Sequence, residues 1–185
     1  MNAFSELENQ IRECFGRVVY THKTHEKMAE GCTKAMRRYK WAQIGVSALT
    51  ASGALSVVFL DKPQLKLATA ITSILTLLIS GAMRNFDPGG TAQKHRDAAA
   101  SLWPVRESYL SLLTDLRMGS IQTDEATRRR EDLQKKLAAI YKGAPQTNSK
   151  AYTEAQTALK KNEEYTFSDA EIDKFLPTCL RKEKQ

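Results

Sequence analysis

Apolar residues recur every third or fourth position over most of the chain. Two stretches depart from that rhythm and carry no charge at all: Trp41 to Leu60, twenty residues, and Leu67 to Met83, seventeen. A helix folded from either stretch has no polar stripe to turn toward water, as the surface helix of a soluble bundle requires. Twenty helical residues at about 1.5 Å each cross the ~30 Å hydrocarbon layer of a bilayer. The second stretch is at the lower edge of that length, and the stem of Lys66 extends it by snorkelling. The pattern predicts two transmembrane helices, 41–60 and 67–83; the alternative is a hairpin buried inside a soluble bundle. The loop between them, 61–66, reads DKPQLK. Pro63 disfavours helix at the residue before it and ends the first span. So short a connection makes the spans antiparallel neighbours and places both termini on one side.

The flanking segments predict amphipathic helices. Residues 1–40 form the first, with one heptad set at Phe4, Ile11, Val18, His25, Cys32 and Tyr39 and the other at Leu7, Cys14, Thr21, Met28 and Ala35. Thr21 and His25 interrupt the stripe, and Gly16 and Gly31 each weaken the helix by about 1 kcal/mol. It is expected to run straight into the first span. After the second span, Asp87-Pro88-Gly89-Gly90 within NFDPGGT is turn chemistry, and helix is expected to resume near Ala92. A matching stripe follows at Ala98, Leu102, Val105, Tyr109, Leu112 and Leu116, so the two helices are expected to pack as a stalk. Pro104 either kinks this helix or marks its start. Further helices are expected from Thr123 to about Tyr141, with Leu133, Leu137 and Ile140 on one face, and over roughly 147–164. Ser168-x-x-Glu171 is a capping box opening a short last helix that ends before Pro177. The expectation is an all-α chain in four parts: a cytoplasmic amphipathic helix (1–40), a transmembrane hairpin (41–83), a cytoplasmic helical region (84–166) and a short C-terminal helix with a basic tail (167–185).

Charge then sets orientation. The chain has 28 Lys and Arg against 21 Asp and Glu, a net charge of +7, and a mean hydropathy of -0.45 that conceals the two apolar runs. Arg37, Arg38, Lys40 and Arg84 flank the spans, whereas the loop carries only Lys62 and Lys66 against Asp61. By the positive-inside rule both termini are cytoplasmic. Basic residues at an anionic membrane face account for the net charge. No nucleic-acid recognition motif is present, so direct nucleic-acid binding is not expected. About forty polar residues precede the first apolar run, so no cleavable signal is expected. Cys14, Cys32 and Cys179 have no metal-ligand spacing and read as free thiols.

Catalytic chemistry has little footing. His22 and His25 stand three apart beside Glu26, but a zinc site needs a further ligand on the same face, and His95 lies beyond the hairpin. His25 sits at an interfacial heptad position; buried with His22, it is expected to titrate near neutral pH. No phosphate-cradling glycine loop and no nucleophile with a base is apparent, so no catalytic residue, metal or cofactor is assigned. Arg128-Arg129-Arg130 reads as a solvated face. The spans hold more. Ala48, Ser52 and Ser56 recur every fourth residue in the first, with Gly45 and Gly53 close by, and Ala68, Thr72, Thr76 and Ser80 in the second. Small and hydroxylated residues at that spacing let backbones approach and hydrogen-bond. These seven are the candidate helix-packing or pore-lining positions.

The segments RRYKWAQIG (37–45), NFDPGGTAQKHRDAA (85–99), AAIYKGAPQTNSKAYTEAQ (138–156) and FSDAEIDKFLP (167–177) resemble the bacterial SLATT proteins, two-transmembrane effectors of nucleotide-second-messenger and related conflict systems. The resemblance covers most of the chain but carries no catalytic signature. It implies a membrane-embedded anti-phage effector of the bacterial inner membrane. Such a protein is held inactive until a partner signals infection, then oligomerises and breaches the bilayer. The partner it implies is a cyclic-nucleotide synthase or a reverse transcriptase. The competing reading is a non-toxic membrane anchor that recruits a cytoplasmic partner through its helical stalk.

Overall fold

The computed structural model describes residues 3–60 and 62–182; Met1, Asn2, Asp61 of the expected loop and the last three residues of the basic tail lie outside them. The described chain is all-α, without a strand. Helix α1 spans Ala3–Leu60 and α2 spans Pro63–Phe86; α3 is Pro88–Arg117, α4 is Thr123–Gly143, α5 is Ser149–Lys160 and α6 is Asp169–Phe175. A 3-10 turn at Thr178–Leu180 follows. At 58 residues α1 is a continuous rod of roughly 87 Å. No proline interrupts it, so Gly16, Gly31, Gly45 and Gly53 are carried inside an unbroken helix.

The N-terminal half of α1 packs along α3, closed by α4 and α5. Leu7, Ile11 and Val18 from α1 meet Leu102, Val105, Tyr109, Leu112 and Leu116 from α3 and Ala126 and Leu133 from α4. The two heptad stripes thus face one another over their outer halves. Nearer the membrane the α1 stripe becomes polar, with His22, Lys23, Thr24 and His25 all buried. Helix α5 lies on α1 through Ala151, Ala155 and Ala158, whose small side chains allow close approach, and Tyr152 stacks on Tyr20 with ring centroids 5.8 Å apart.

The other half of α1 and all of α2 form the hairpin. No residue of either apolar window is buried. Trp41, Leu55, Val58, Phe59, Leu67, Leu77 and Leu78 are each more than half exposed, so an apolar belt surrounds both helices. A helix in the centre of a soluble bundle would have these side chains enclosed. So large an apolar surface is stable against lipid tails and unstable against water. The chain is a membrane protein with two spans.

Local expectations are revised at the starts of α2 and α3 and at the ends of α5. Helix α2 starts at Pro63, so residues 63–66 belong to the helix and not to the loop. Proline at the first helical position loses no hydrogen bond and has its φ preset. Helix α3 starts at Pro88, and Gly89 and Gly90 form its first turn; the whole break is Asp87 alone. Helix α3 also runs through Pro104, which sits on the exposed side. Only the donor to the Ala100 carbonyl is lost, and Ala100 is itself exposed to solvent. The capping box forms in both halves: Ser168 Oγ accepts from the Glu171 amide and the Glu171 carboxylate accepts from the Ser168 amide at 2.8 Å. Helix α5 is shorter than expected at both ends: Asn148 caps its start, accepting from the Ala151 amide at 2.9 Å, and the chain leaves the helix after Lys160, with Glu163 in a left-handed backbone, φ 51.

Candidate functional site

The hairpin seam carries a polar stripe among apolar side chains. From α1 the half-buried positions are Gln43, Val46, Thr50, Gly53, Ser56 and Val57; from α2 they are Leu65, Thr69, Thr72, Thr76, Ile79, Ser80, Ala82 and Met83. Two contacts fix the register. Gln43 Nε2 donates to Ser80 Oγ across the helices at 3.1 Å. A Cβ added to Gly53 would stand 2.5 Å from Thr69 Oγ1, so glycine is what lets the two backbones meet there. In this antiparallel register Thr50 stands opposite Thr72. Every seam hydroxyl also donates back into its own helix, for example Thr69 Oγ1 to the Leu65 carbonyl at 2.9 Å and Thr76 Oγ1 to the Thr72 carbonyl at 2.9 Å. The hydroxyls are therefore satisfied without water.

The seven candidate positions divide. Thr72, Thr76 and Ser80 face α1 in the seam, and Ser56 is half-buried at its far end. Ala48, Ser52 and Ala68 point outward, exposed. Gln43 and Thr69 have no place in the sequence stripes. Gln43 carried the available signal, as the one side-chain amide in the first uncharged run.

At the other end of α2, Asp87 links the hairpin to the bundle. Its amide donates to the Met83 carbonyl at 3.0 Å, closing α2, and its carboxylate accepts from the Gly90 amide at 2.9 Å, opening α3. It holds a left-handed backbone, φ 30 and ψ 65, a conformation that non-glycine residues rarely adopt. A Cβ on Gly90 would collide with that carboxylate, which explains the glycine. Helix α1 is thus shared by bundle and hairpin, and α2 joins α3 through this one residue.

Between bundle and membrane lies a buried polar layer. One imidazole Nδ1–H donates to the other Nδ1 between His25 and His95, 2.9 Å apart. Burial, and then repulsion from His95 and His22, takes His25 down to about 4; burial also lowers His95 and His22. His25 therefore does not titrate near neutral pH as expected: His95, which sequence spacing could not bring to it, shares its pocket. Beside this pair the segment after α5 closes on α1. Glu164 bridges Lys23 at 2.5 Å and Lys27 at 3.5 Å. The Tyr165 hydroxyl donates to Glu26 at 2.7 Å and lies 2.9 Å from His22 Nδ1. The Tyr165 ring is sandwiched between Lys23, 4.5 Å from its centroid, and Arg106, 4.7 Å. Burial opposes the Lys23 charge, but hydrogen bonds to Glu164 and Glu26 outweigh it and raise its pKa. Burial alone would raise Glu26; the Lys23 and Tyr165 hydrogen bonds overcome it and hold the group below the usual carboxylate range.

Among the described residues no group of three or more His, Cys, Asp or Glu side chains converges on a metal-sized site. The three cysteines are free thiols. Arg129 and Arg130 of the arginine run are engaged locally, by Glu125 and Asp115 and by Glu131 and Gln10.

A lipid-facing two-helix hairpin, continued through α1 into a helical bundle, defines a two-span membrane protein. Residues 7–171 match the model of the SMODS and SLOG-associating 2TM effector domain family 4, and the chain belongs to that family. It is a family of membrane effectors in conflict systems, not one of known enzymes. No curated protein and no solved structure matches the chain.

Proposed function

We propose that this protein is the membrane-permeabilising effector of a bacterial anti-phage defence system, seated in the inner membrane with both termini cytoplasmic. A partner that detects infection, a cyclic-nucleotide synthase or a reverse transcriptase, triggers it. Several copies then assemble through their hairpins and breach the bilayer. The observation that carries this reading is the polar Thr/Ser/Gln seam enclosed within an apolar belt, in a member of an effector family. In a single chain the seam is closed, with its hydroxyls satisfied internally. That suits a resting state: opening requires α1 and α2 to part, exposing Thr72, Thr76 and Ser80 to one another across neighbouring copies. The absence of charge in the spans suits a coarse lesion better than a selective ion path. The linkage through α1 and Asp87 supplies the coupling, since displacing α3 against α1 outside the membrane turns α2 against α1 within it.

The test is membrane potential and impermeant-dye uptake in cells expressing the protein with its genomic neighbours, before and after the trigger. Depolarisation is expected only with the trigger. Thr72→Leu with Thr76→Leu is expected to weaken it. Full defence without depolarisation, or full function after replacing the hairpin by an unrelated two-span anchor, would establish the adaptor reading instead.

A further inference from the structure

A cleft between α1 and α3 opens at the mouth of the hairpin, lined by Glu26, Glu30, Thr33, Lys34, Arg37 and Arg96. Its two carboxylates are already engaged: Glu26 by Lys23 and Tyr165, Glu30 by Lys27 at 3.6 Å and Lys34 at 3.9 Å. Its arginines are not. Arg96 is held in place by neutral groups, donating to Thr33 Oγ1 at 2.6 Å and to Gln93 Oε1 at 3.4 Å. Arg37 has no carboxylate within ion-pair distance among the described residues, and neither do Arg38, Lys40 and Arg84 beside it. Arg37 is four residues before Trp41, about 6 Å along the helix, which is the depth of the headgroup layer. Thr33 and the Arg96 guanidinium stand about one turn further out.

We infer that this cleft binds the phosphodiester of an anionic phospholipid, with Arg37 and Arg96 as its ligands and Thr33 positioning Arg96. Two guanidiniums without carboxylates, one pre-oriented by a hydroxyl, suit the negative charge and the paired oxygens of a phosphodiester. The acyl chains would descend along the exposed face of the hairpin, which begins one turn below. A lipid seated there would bridge α1 and α3 at the point where bundle motion enters the membrane.

The experiment uses the full chain in neutral detergent, with dioleoyl phosphatidylglycerol and dioleoyl phosphatidylcholine as probes and retained lipid read by native mass spectrometry. Preferential retention of the glycerol lipid is expected. Arg37→Gln and Arg96→Gln are each expected to weaken its retention about fivefold, and to weaken that of the choline lipid less, because its phosphodiester is already neutralised by its own choline cation. Arg128→Gln, on the exposed face of α4 at the far end of the bundle, is expected to change neither. Arg37 makes no side-chain contact that folding needs, so its variant is readable even where Arg96→Gln disturbs the local packing. Equal retention of both lipids, or an unchanged preference in the double variant, would overturn the assignment. Displacement of the lipid by an equal concentration of glycerol 3-phosphate or inorganic phosphate would overturn it too, by making the site one for a soluble phosphate.

Discussion

Gly53→Val is the sharpest probe of the hairpin. The added Cβ would lie 2.5 Å from Thr69 Oγ1 and 3.5 Å from Thr69 Cβ. An ordinary carbon–oxygen contact needs about 3.4 Å, so close to 1 Å must be found. Rotating Thr69 would break its 2.9 Å bond to the Leu65 carbonyl, and the branched valine blocks the space a rotated methyl would use. The helices must instead move apart, which overpacking data place at about 1–3 kcal/mol. That is a roughly 5- to 150-fold shift in the equilibrium between packed and parted hairpin. The assay is disulfide formation between Thr50→Cys and Thr72→Cys, opposite one another in the seam, with the native cysteines replaced. Gly53→Val is expected to slow intrachain cross-linking sharply, and Gly53→Ala less so. Gly45→Val, where an added Cβ meets nothing within 4 Å, is expected to leave it unchanged. Equal cross-linking in Gly53→Val and the parent, or equal loss in Gly45→Val, would refute the close approach of the two backbones.

The other expectations concern the bundle and the joint. Asp87→Ala removes a helix cap and leaves a left-handed alanine, so thermal unfolding in detergent is expected to show a loss of about 1–2 kcal/mol. Asp87→Gly restores the backbone but not the cap and is expected to lie between that variant and the parent. Leu102→Ala, at a fully buried core position, is expected to cost about 2–5 kcal/mol in the same measurement. His25 has a folded pKa of about 4 against about 6.5 unfolded, so the unfolded chain binds more protons between those values. The stabilisation is complete above pH 6.5 and declines as pH falls toward 4. A melting series over that window is expected to show the decline, and His25→Gln to lessen it, His95 and His22 supplying the rest because burial lowers them as well.

The sequence carries the hairpin because membrane solvation needs nothing but an uncharged stretch of sufficient length, and Trp41–Leu60 supplies one without reference to any partner. It carries the outer core for a similar reason. The stripes at Leu7, Ile11 and Val18 and at Leu102, Val105 and Tyr109 have helical spacing, and two such stripes bury each other. The capping box at Ser168 and Glu171 is local and formed as read. What stayed hidden is what depends on distant partners. His25 reads as an interruption of a heptad until His95, seventy residues on, is brought to it. Glu26 reads only as a neighbour of His22 and His25 until Tyr165 bonds to it and Glu164 bridges Lys23 beside it. Pro63 and Gly89-Gly90 read as loop by composition, although proline at a first helical position and glycine beside a capping Asp also suit a helix start. The outward Ala48 and Ser52 and the inward Thr72 and Thr76 share one spacing rule; only the hairpin register separates them.

The most direct test of the lipid-facing hairpin is collisional accessibility of spin labels at Leu55 and Leu77 in the reconstituted full chain. Both side chains stand outward, 63% and 73% exposed. Labels there are expected to collide readily with molecular oxygen, which concentrates among acyl chains, and rarely with a water-soluble nickel chelate. Labels shielded from both reagents, or open to the nickel chelate, would show that protein or water, and not lipid, surrounds these helices.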